Sequence, residues 1–239
     1  MKNFKKWIAG AIGLSVLSFT TTSCLKDAKQ QALAVGDVFV QDMKTDAGIK
    51  YGLIIYVTSN TEIVSGKVTA PGTNGKVYQL SAGADKFQYV YYTPAAEYTS
   101  ELPVKGDYSM EISLTNGESL YGKDALGDEK LLPVSIKTTS FDAHVLKTTW
   151  DKVTSADAYI VRLYDANKTK VIFSSTYLTD VTQYEFSASS AGWGVGVTPV
   201  INTNYVVELV AVRIETGITT DKGNNIQFST VDSKTIKWE

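Results

Sequence analysis

"VLKTTWDKVTSADAYIVRLYDANKTKVIFSSTYL", residues 145–178, holds three short runs in which apolar and polar side chains alternate. Alternation at period two marks a half-buried strand, because successive side chains point to opposite faces. The Val, Ile, Tyr and Thr that fill these runs favour extended backbone. Between the second and third, "DANKTK" (165–170) supplies the Asp and Asn that tolerate tight turns. Strands that follow one another across such turns, with no helical repeat between them, read as an antiparallel sandwich or barrel.

The same pattern recurs outward in both directions. GDVFVQD (36–42), KYGLIIYVTS (50–59), KFQYVYYT (86–93) and DYSMEISL (107–114) precede the stretch, and QYEFSAS (183–189) and NYVVELVAVRI (204–214) follow it. Asn116-Gly117 is a hairpin turn signal. The chain has fourteen Tyr and only five Pro, which favours strands and argues against a Pro-rich stalk. "YGKDALGDEKLLP" (121–133) is charged and breaks the alternation, which places a boundary just before Pro133. The expected fold is all-β, with two tandem immunoglobulin-like antiparallel β-sandwiches over 36–132 and 133–239. Each would hold about seven strands.

Two groups of residues carry a family resemblance in the second half. Trp150-Asp151-Lys152-Val153, followed by Ala158-Tyr159-Ile160-Val161-Arg162, resembles strands B and C of a fibronectin type III domain. The resemblance implies that the Trp and the Tyr pack together in the core. Thr203-Asn204-Tyr205, leading into VVELVAV, resembles the tyrosine corner of that family, which implies a Tyr hydroxyl bonded to upstream backbone. Pro199 and Ile201 stand where the family prefers Leu and Pro. In the first half, Leu102-Pro103, Gly106 and Tyr108-Ser109-Met110-Glu111-Ile112 resemble one strand and corner of a bacterial Ig-like domain. Neither resemblance specifies an activity, since sandwiches host many.

At the N-terminus, Lys2, Lys5 and Lys6 precede an uncharged run from Trp7 to Phe19 and small residues from Thr20 to Ser23. A basic start, a short apolar stretch and small residues describe a secretory signal. The run is too short to cross a bilayer as a helix, which takes about 20 residues. Thr21-Thr22-Ser23-Cys24 resembles the lipobox of bacterial lipoproteins, with Thr21 in place of the usual Leu. That resemblance implies removal of residues 1–23, acylation of Cys24, and a tether over 24–35. The protein would then be exported and lipid-anchored in the outer membrane of a Gram-negative bacterium, with Lys26-Asp27 leaning toward surface display. The plainer alternative is an ordinary signal peptide cut near Ser23. Cys24 is the only cysteine, so it has no partner for an intramolecular disulfide.

Catalytic patterns are sparse. The formal charge of −2, with both signs interspersed, excludes a basic stripe and makes nucleic acid an unnatural partner. His144 is the sole histidine, so a Ser-His-Asp triad would have to use it, and no G-x-S-x-G elbow accompanies it. A zinc site of His and Cys ligands is excluded by count. Asp42 with Asp46, Asp124 with Asp128, and Asp128 with Glu129 are paired carboxylates in polar stretches, without the Asp-x-Asp-x-Asp-Gly spacing of a calcium loop. No catalytic residue, metal or cofactor is expected.

Aromatic residues offer binding instead. "FQYVYYTPAAEY" (87–98) places Phe87, Tyr89 and Tyr91 on one face of a strand and Tyr92 on the other, with Tyr98 beyond. One of those faces must be core. Trp193, within "AGWGVG", is either a ligand contact on a loop or a core plug. The expected function is a non-catalytic binding or spacer module, anchored to the membrane through Cys24, with a glycan or surface protein as partner. The alternatives are a fimbria-like subunit, for which the chain has no Arg before Arg162 to mark the maturation cut, and a glycan-acting enzyme using two carboxylates.

Overall fold

β1 (Ala34–Thr45) and β2 (Gly48–Ser59) form a hairpin twelve residues long on each side, closed through Asp46-Ala47. Gly48 sits at φ 112°, a conformation that disfavours any residue with a Cβ, and Thr45 Oγ1 donates to its carbonyl. The computed structural model describes residues 31–83, 85–217 and 225–239, and Ala32–Glu239 fold as one compact unit. Cys24 and the signal-like run lie outside the described residues.

Among the described residues the regular structure is strand, apart from one 3₁₀ turn at Ala95–Glu97. β3 (Ile63–Thr69), β4 (Val77–Gln79), β7 (Gly106–Leu114) and β8 (Ser119–Leu126) form a four-stranded sheet in the order β4-β3-β7-β8. Asn116-Gly117 turns β7 into β8 as the sequence suggests, with Gly117 at φ 85°. β9 (Ile136–Asp142), β10 (Val145–Trp150) and β13 (Gln183–Phe186) form a three-stranded sheet, β13-β10-β9. Ala143 and His144 make the β9–β10 turn, both at positive φ, so His144 is an exposed turn residue and not part of a strand.

The remaining strands make one eight-stranded sheet. Its order is β12 (Val171–Ser174), β11 (Ala158–Asp165), β14 (Asn204–Ile214), β15 (Ile226–Lys237), β1, β2, β6 (Gln88–Tyr92) and β5 (Ser81–Ala82). Residues 36–132 and 133–239, expected as separate sandwiches, therefore share a sheet. β1 and β15 pair in parallel, with Val40 opposite Phe228 and Gln41 opposite Ser229. Two acids of β1 stitch this seam at either end. Asp37 accepts the Ile226 N–H at 3.1 Å, and Asp42 accepts the Val231 N–H at 3.3 Å.

One face of the large sheet packs against both small sheets in a continuous core. Val38, Leu53, Val161 and Leu209 from the large sheet meet Ile112, Leu146, Trp150 and Phe186 from the small ones. Trp150 lies 5.3 Å from Tyr159, centroid to centroid, and the Tyr159 hydroxyl accepts the Val153 N–H. Each half has a tyrosine locked to upstream backbone: Tyr205 Oη accepts from Val200 N at 2.9 Å, and Tyr108 Oη donates to Val104 O at 2.7 Å. Both pairings expected from the sequence, Trp150 with Tyr159 and Tyr205 with its corner, are present.

Candidate functional site

The opposite face of the eight-stranded sheet is also apolar. Phe39 on β1, Ile54 on β2, Ile160 on β11, and Val210 and Val212 on β14 form a second buried cluster, all at 8% exposure or less. Strict alternation produces it: Val38 and Val40 enter the main core while Phe39 faces the other way, and Leu53 and Ile55 flank Ile54 likewise. Strands buried on both faces read as nearly continuous apolar runs, and "GLIIYV" and, apart from Glu208, "VVELVAV" are such runs.

This face lines a groove of about 800 Å³. The sheet curls around it. Tyr56 on β2 stands four inter-strand steps from Arg162 and Tyr164 on β11, about 19 Å in a flat sheet at about 4.8 Å per step. Yet both residues are near enough to act on the ionisation of Tyr56, Arg162 favouring it and Tyr164 opposing it. The first half contributes Phe39, Tyr56 and Tyr92, and the second contributes Tyr164, Tyr177 and Arg162, so the groove exists only because the halves share a sheet.

An aromatic wall and an ionic wall face each other across it. Phe39 and Tyr56 stack with centroids 6.0 Å apart, and Tyr92 meets Tyr56 edge-on at 5.7 Å, their hydroxyls hydrogen-bonded. Opposite, Glu208 is almost fully buried, with a side chain only 7% exposed. Its Oε1 accepts from Tyr164 Oη at 3.2 Å and lies 3.5 Å from Arg162, and its Oε2 lies 2.8 Å from Lys168 Nζ. Lys168 also stands 5.7 Å above the Tyr164 ring. The β11–β12 turn delivers Lys168: the Asp165 carboxylate accepts the backbone N–H of Thr169 and of Lys170, holding Lys168 at φ 57°.

Electrostatics fix the protonation states. Burial raises the Tyr56 phenol well above its ordinary value, with neighbouring Tyr92 adding to the shift. Burial and then Glu208 push Tyr164 up to about 12. Burial opposes the Arg162 charge, but Tyr164, Glu208 and Tyr56 outweigh it and hold the guanidinium above its usual value. At neutral pH Tyr56 and Tyr164 are therefore neutral phenols beside the Arg162 guanidinium.

A shallower trough of about 350 Å³ adjoins, sharing Gln41, Lys168 and Glu208 with the groove. Tyr98 lines it and donates to Gln41 Oε1 at 3.2 Å. Its ring lies flat against Gly52, where any Cβ would come within 2.6 Å of it.

The residues singled out from the sequence thus separate. Tyr92 lines the groove with 52% of its surface exposed, and Tyr98 lines the neighbouring trough. Tyr89 and Tyr91 turn to the opposite face, packed against the main core; Tyr91 meets Tyr78 at 4.9 Å, and Tyr89 donates to Val64 O. Trp193 is half-buried against Phe173, Phe186 and Trp238, and its Nε1 donates to Ser187 O at 3.0 Å. Of its two readings, that is the arrangement of a core plug. Phe39, Tyr56, Arg162, Tyr164, Lys168 and Glu208 were not singled out. Their signal was the presence of Arg162 and Glu208 inside otherwise apolar strands.

Asp42 and Asp46, and Asp124 and Asp128, also fall in different surroundings. Asp42 is buried at the seam, Asp46 lies exposed in the β1–β2 turn, and Asp128 is exposed and paired with Lys105 at 2.7 Å. Asp124 instead joins Asp37 and Glu215, oxygen atoms of the three lying within 4.8 Å of one another. Oxygens at that spacing suit a hard cation such as calcium. Protein donors already occupy them: Val38 N–H on Asp124, Ile226 N–H on Asp37 and Gln227 on Glu215. Burial, with Glu215 nearby, raises the Asp124 carboxyl to about 6.

No family model matches the chain, and no curated protein does. Among solved structures it is similar to a domain titled "Biofilm associated protein - BSP domain", at 15% identity over 87% of this chain and 29% of that one, with a TM-score of 0.26. It is also similar to the b-glucuronidase from Ruminococcus gnavus in complex with D-glucaro 1,5-lactone, at 14% identity over 77% of this chain and 35% of that one, with a TM-score of 0.25. The chain spans about a third of those proteins or less, and at these scores the likenesses carry nothing about ligand or activity.

Proposed function

We propose that this protein is a non-catalytic, lipid-anchored binding module that holds a glycan in the groove on the outer face of its large sheet. The groove itself is the observation that carries the reading. Its volume lies within the roughly 300–1,000 Å³ of small-molecule sites, and its open lining is more polar than apolar, which suits a hydroxyl-rich ligand. Tyr92 and Tyr56 offer ring faces and edges for the apolar side of a pyranose, while Gln41, Gln88 and Arg162 offer hydrogen bonds to hydroxyls. Binding is favoured over hydrolysis because Glu208, the carboxylate lining the groove, has both oxygens engaged by Tyr164, Arg162 and Lys168.

The anchoring half of the proposal rests on Lys2 to Cys24 in the sequence: a secretory signal ending in a lipobox-like tetrad, which would tether Cys24 in the outer membrane. The strand order β13-β10-β9 over β12-β11-β14-β15, with the Trp150–Tyr159 contact and the Tyr205 corner, supports a fibronectin type III-like second half. The Tyr108 corner supports an Ig-like first half. The test is an immobilised panel of neutral and acidic oligosaccharides probed with the full chain. Saturable binding that Tyr92→Ala weakens is expected; no binding across the panel would overturn the reading.

A further inference from the structure

The charges of the groove are unevenly presented. Arg162, Lys168 and Glu208 are its charged lining residues, two cations to one carboxylate. Exposure sharpens the imbalance. The Lys168 and Arg162 side chains keep 41% and 32% of their surface, whereas Glu208 keeps 7%. Anything entering the groove meets ammonium and guanidinium, with the carboxylate behind them. A guanidinium carries five N–H donors in a planar fork, and Glu208 and Tyr164 are the partners seen for Arg162, so donors remain for a ligand. The adjoining trough adds Lys44, Asp42 and Asp232, and both acids there accept backbone N–H groups, from Val231 and Ile136.

We propose that the groove selects a saccharide bearing a carboxylate, which Arg162 and Lys168 engage while Tyr56 and Tyr92 hold the ring. The proposal rests on the glycan reading above and adds the ligand's charge. The carboxylate would take a charge-assisted contact that a neutral hydroxyl cannot match. A uronic acid in a polysaccharide and a sialic acid at a glycan end both carry such a group.

Titration calorimetry with the full chain separates the outcomes. The probes are tetragalacturonate, its methyl ester, sialyllactose and lactose. One of the acids is expected to bind at least about tenfold more tightly than its uncharged counterpart, the equivalent of about 1.4 kcal/mol. Which acid does so identifies the source. Arg162→Gln and the more exposed Lys168→Gln should each bring that preference to within about threefold, and added salt should erode it. Glu208→Gln should act in the opposite sense, raising the preference for the acid over its uncharged counterpart several-fold. A purely structural role for these residues would not move affinity in opposite directions. Equal affinity for acid and ester would overturn the charge selection while leaving the glycan reading intact. Silence from all four probes would overturn the charge selection, and the wider panel would then decide the glycan reading separately.

Discussion

Asp42 on β1 accepts the Val231 N–H on β15 at 3.3 Å, so a carboxyl only 4% exposed ties one edge of the parallel seam. Burial raises it from 3.8 to about 6, although Thr230 and the Val231 N–H pull the other way. A carboxyl with a raised folded-state pKa binds more protons folded than unfolded between those two values. Its contribution to stability is therefore full below about pH 4 and is lost as the pH rises through about 6. Asp124, also raised to about 6, acts in the same sense. The unfolding free energy should thus increase as the pH falls from about 7 to about 5. Asp42→Asn keeps an acceptor for Val231 and should add about 1–2 kcal/mol near neutral pH while flattening that slope. Urea titrations at several pH values would measure it, and a slope unchanged in Asp42→Asn would refute the assignment.

Tyr205 and Tyr108 each spend their hydroxyl on backbone a few residues upstream, and Tyr108 is completely buried. Phe at either position preserves the ring and leaves Val200 N–H or Val104 C=O without that partner. Each substitution should cost about 1–2 kcal/mol in denaturant unfolding. Because the core is continuous through both halves, a single cooperative transition is expected in both variants.

Trp193 belongs with Phe173, Phe186 and Trp238, at centroid distances of 5.0, 6.1 and 5.6 Å. Truncation to Ala removes those ring contacts and the bond to Ser187 O. A loss of about 2–4 kcal/mol is expected, at the lower end of what buried aromatics show because the ring is only half-buried. Glycan affinity of the folded fraction should stay the same. Reduced affinity at unchanged stability would return Trp193 to the binding site.

Strand positions and turns were legible in the sequence because period-two patterning and Asn-Gly chemistry are local. The Tyr corners were legible for the same reason, since Tyr205 reaches only five residues back and Tyr108 four. The shared sheet was not. It depends on Val40 meeting Phe228 and Asp37 meeting Ile226, pairings separated by most of the chain, and neither strand signals its neighbour. The groove follows from that seam, so it was hidden too. Tyr92 belongs to a visible aromatic cluster on one strand, but its companions Arg162 and Tyr164 come from five strands away across the sheet. The overlooked clue was physical: "GLIIYV", and "VVELVAV" apart from Glu208, are apolar on both faces, which means both faces of β2 and β14 are covered or concave.

Under the proposed anchoring, Cys24 would set where the module acts. Acylation adds about 0.8 kcal/mol per buried methylene, and stable anchoring takes more than one chain. Labelled palmitate should enter the protein, and Cys24→Ala should abolish the label and move the protein from the membrane to the soluble fraction. Label that survives Cys24→Ala would sink the anchor.

Tyr92 is the cleanest probe of the groove because half of its surface is open, at 52% exposure, and little of the core leans on it. Tyr92→Ala should leave unfolding within about 0.5–1 kcal/mol of wild type, as for most exposed substitutions. It removes a ring that would stack on a sugar and frees the Tyr56 hydroxyl, so glycan affinity should fall about tenfold or more, given roughly 0.5–1.5 kcal/mol for the ring contact and a similar share for the hydroxyl. Tyr92→Phe restores the ring alone and should recover most of the affinity if stacking dominates. Tyr91→Ala, one residue away but on the core-facing side against Tyr78, should do the reverse, lowering stability and sparing affinity. Calorimetry and denaturation on the three variants read the two faces of β6 independently. If both variants at 92 bound as wild type does, the ligand would have to sit elsewhere on the molecule.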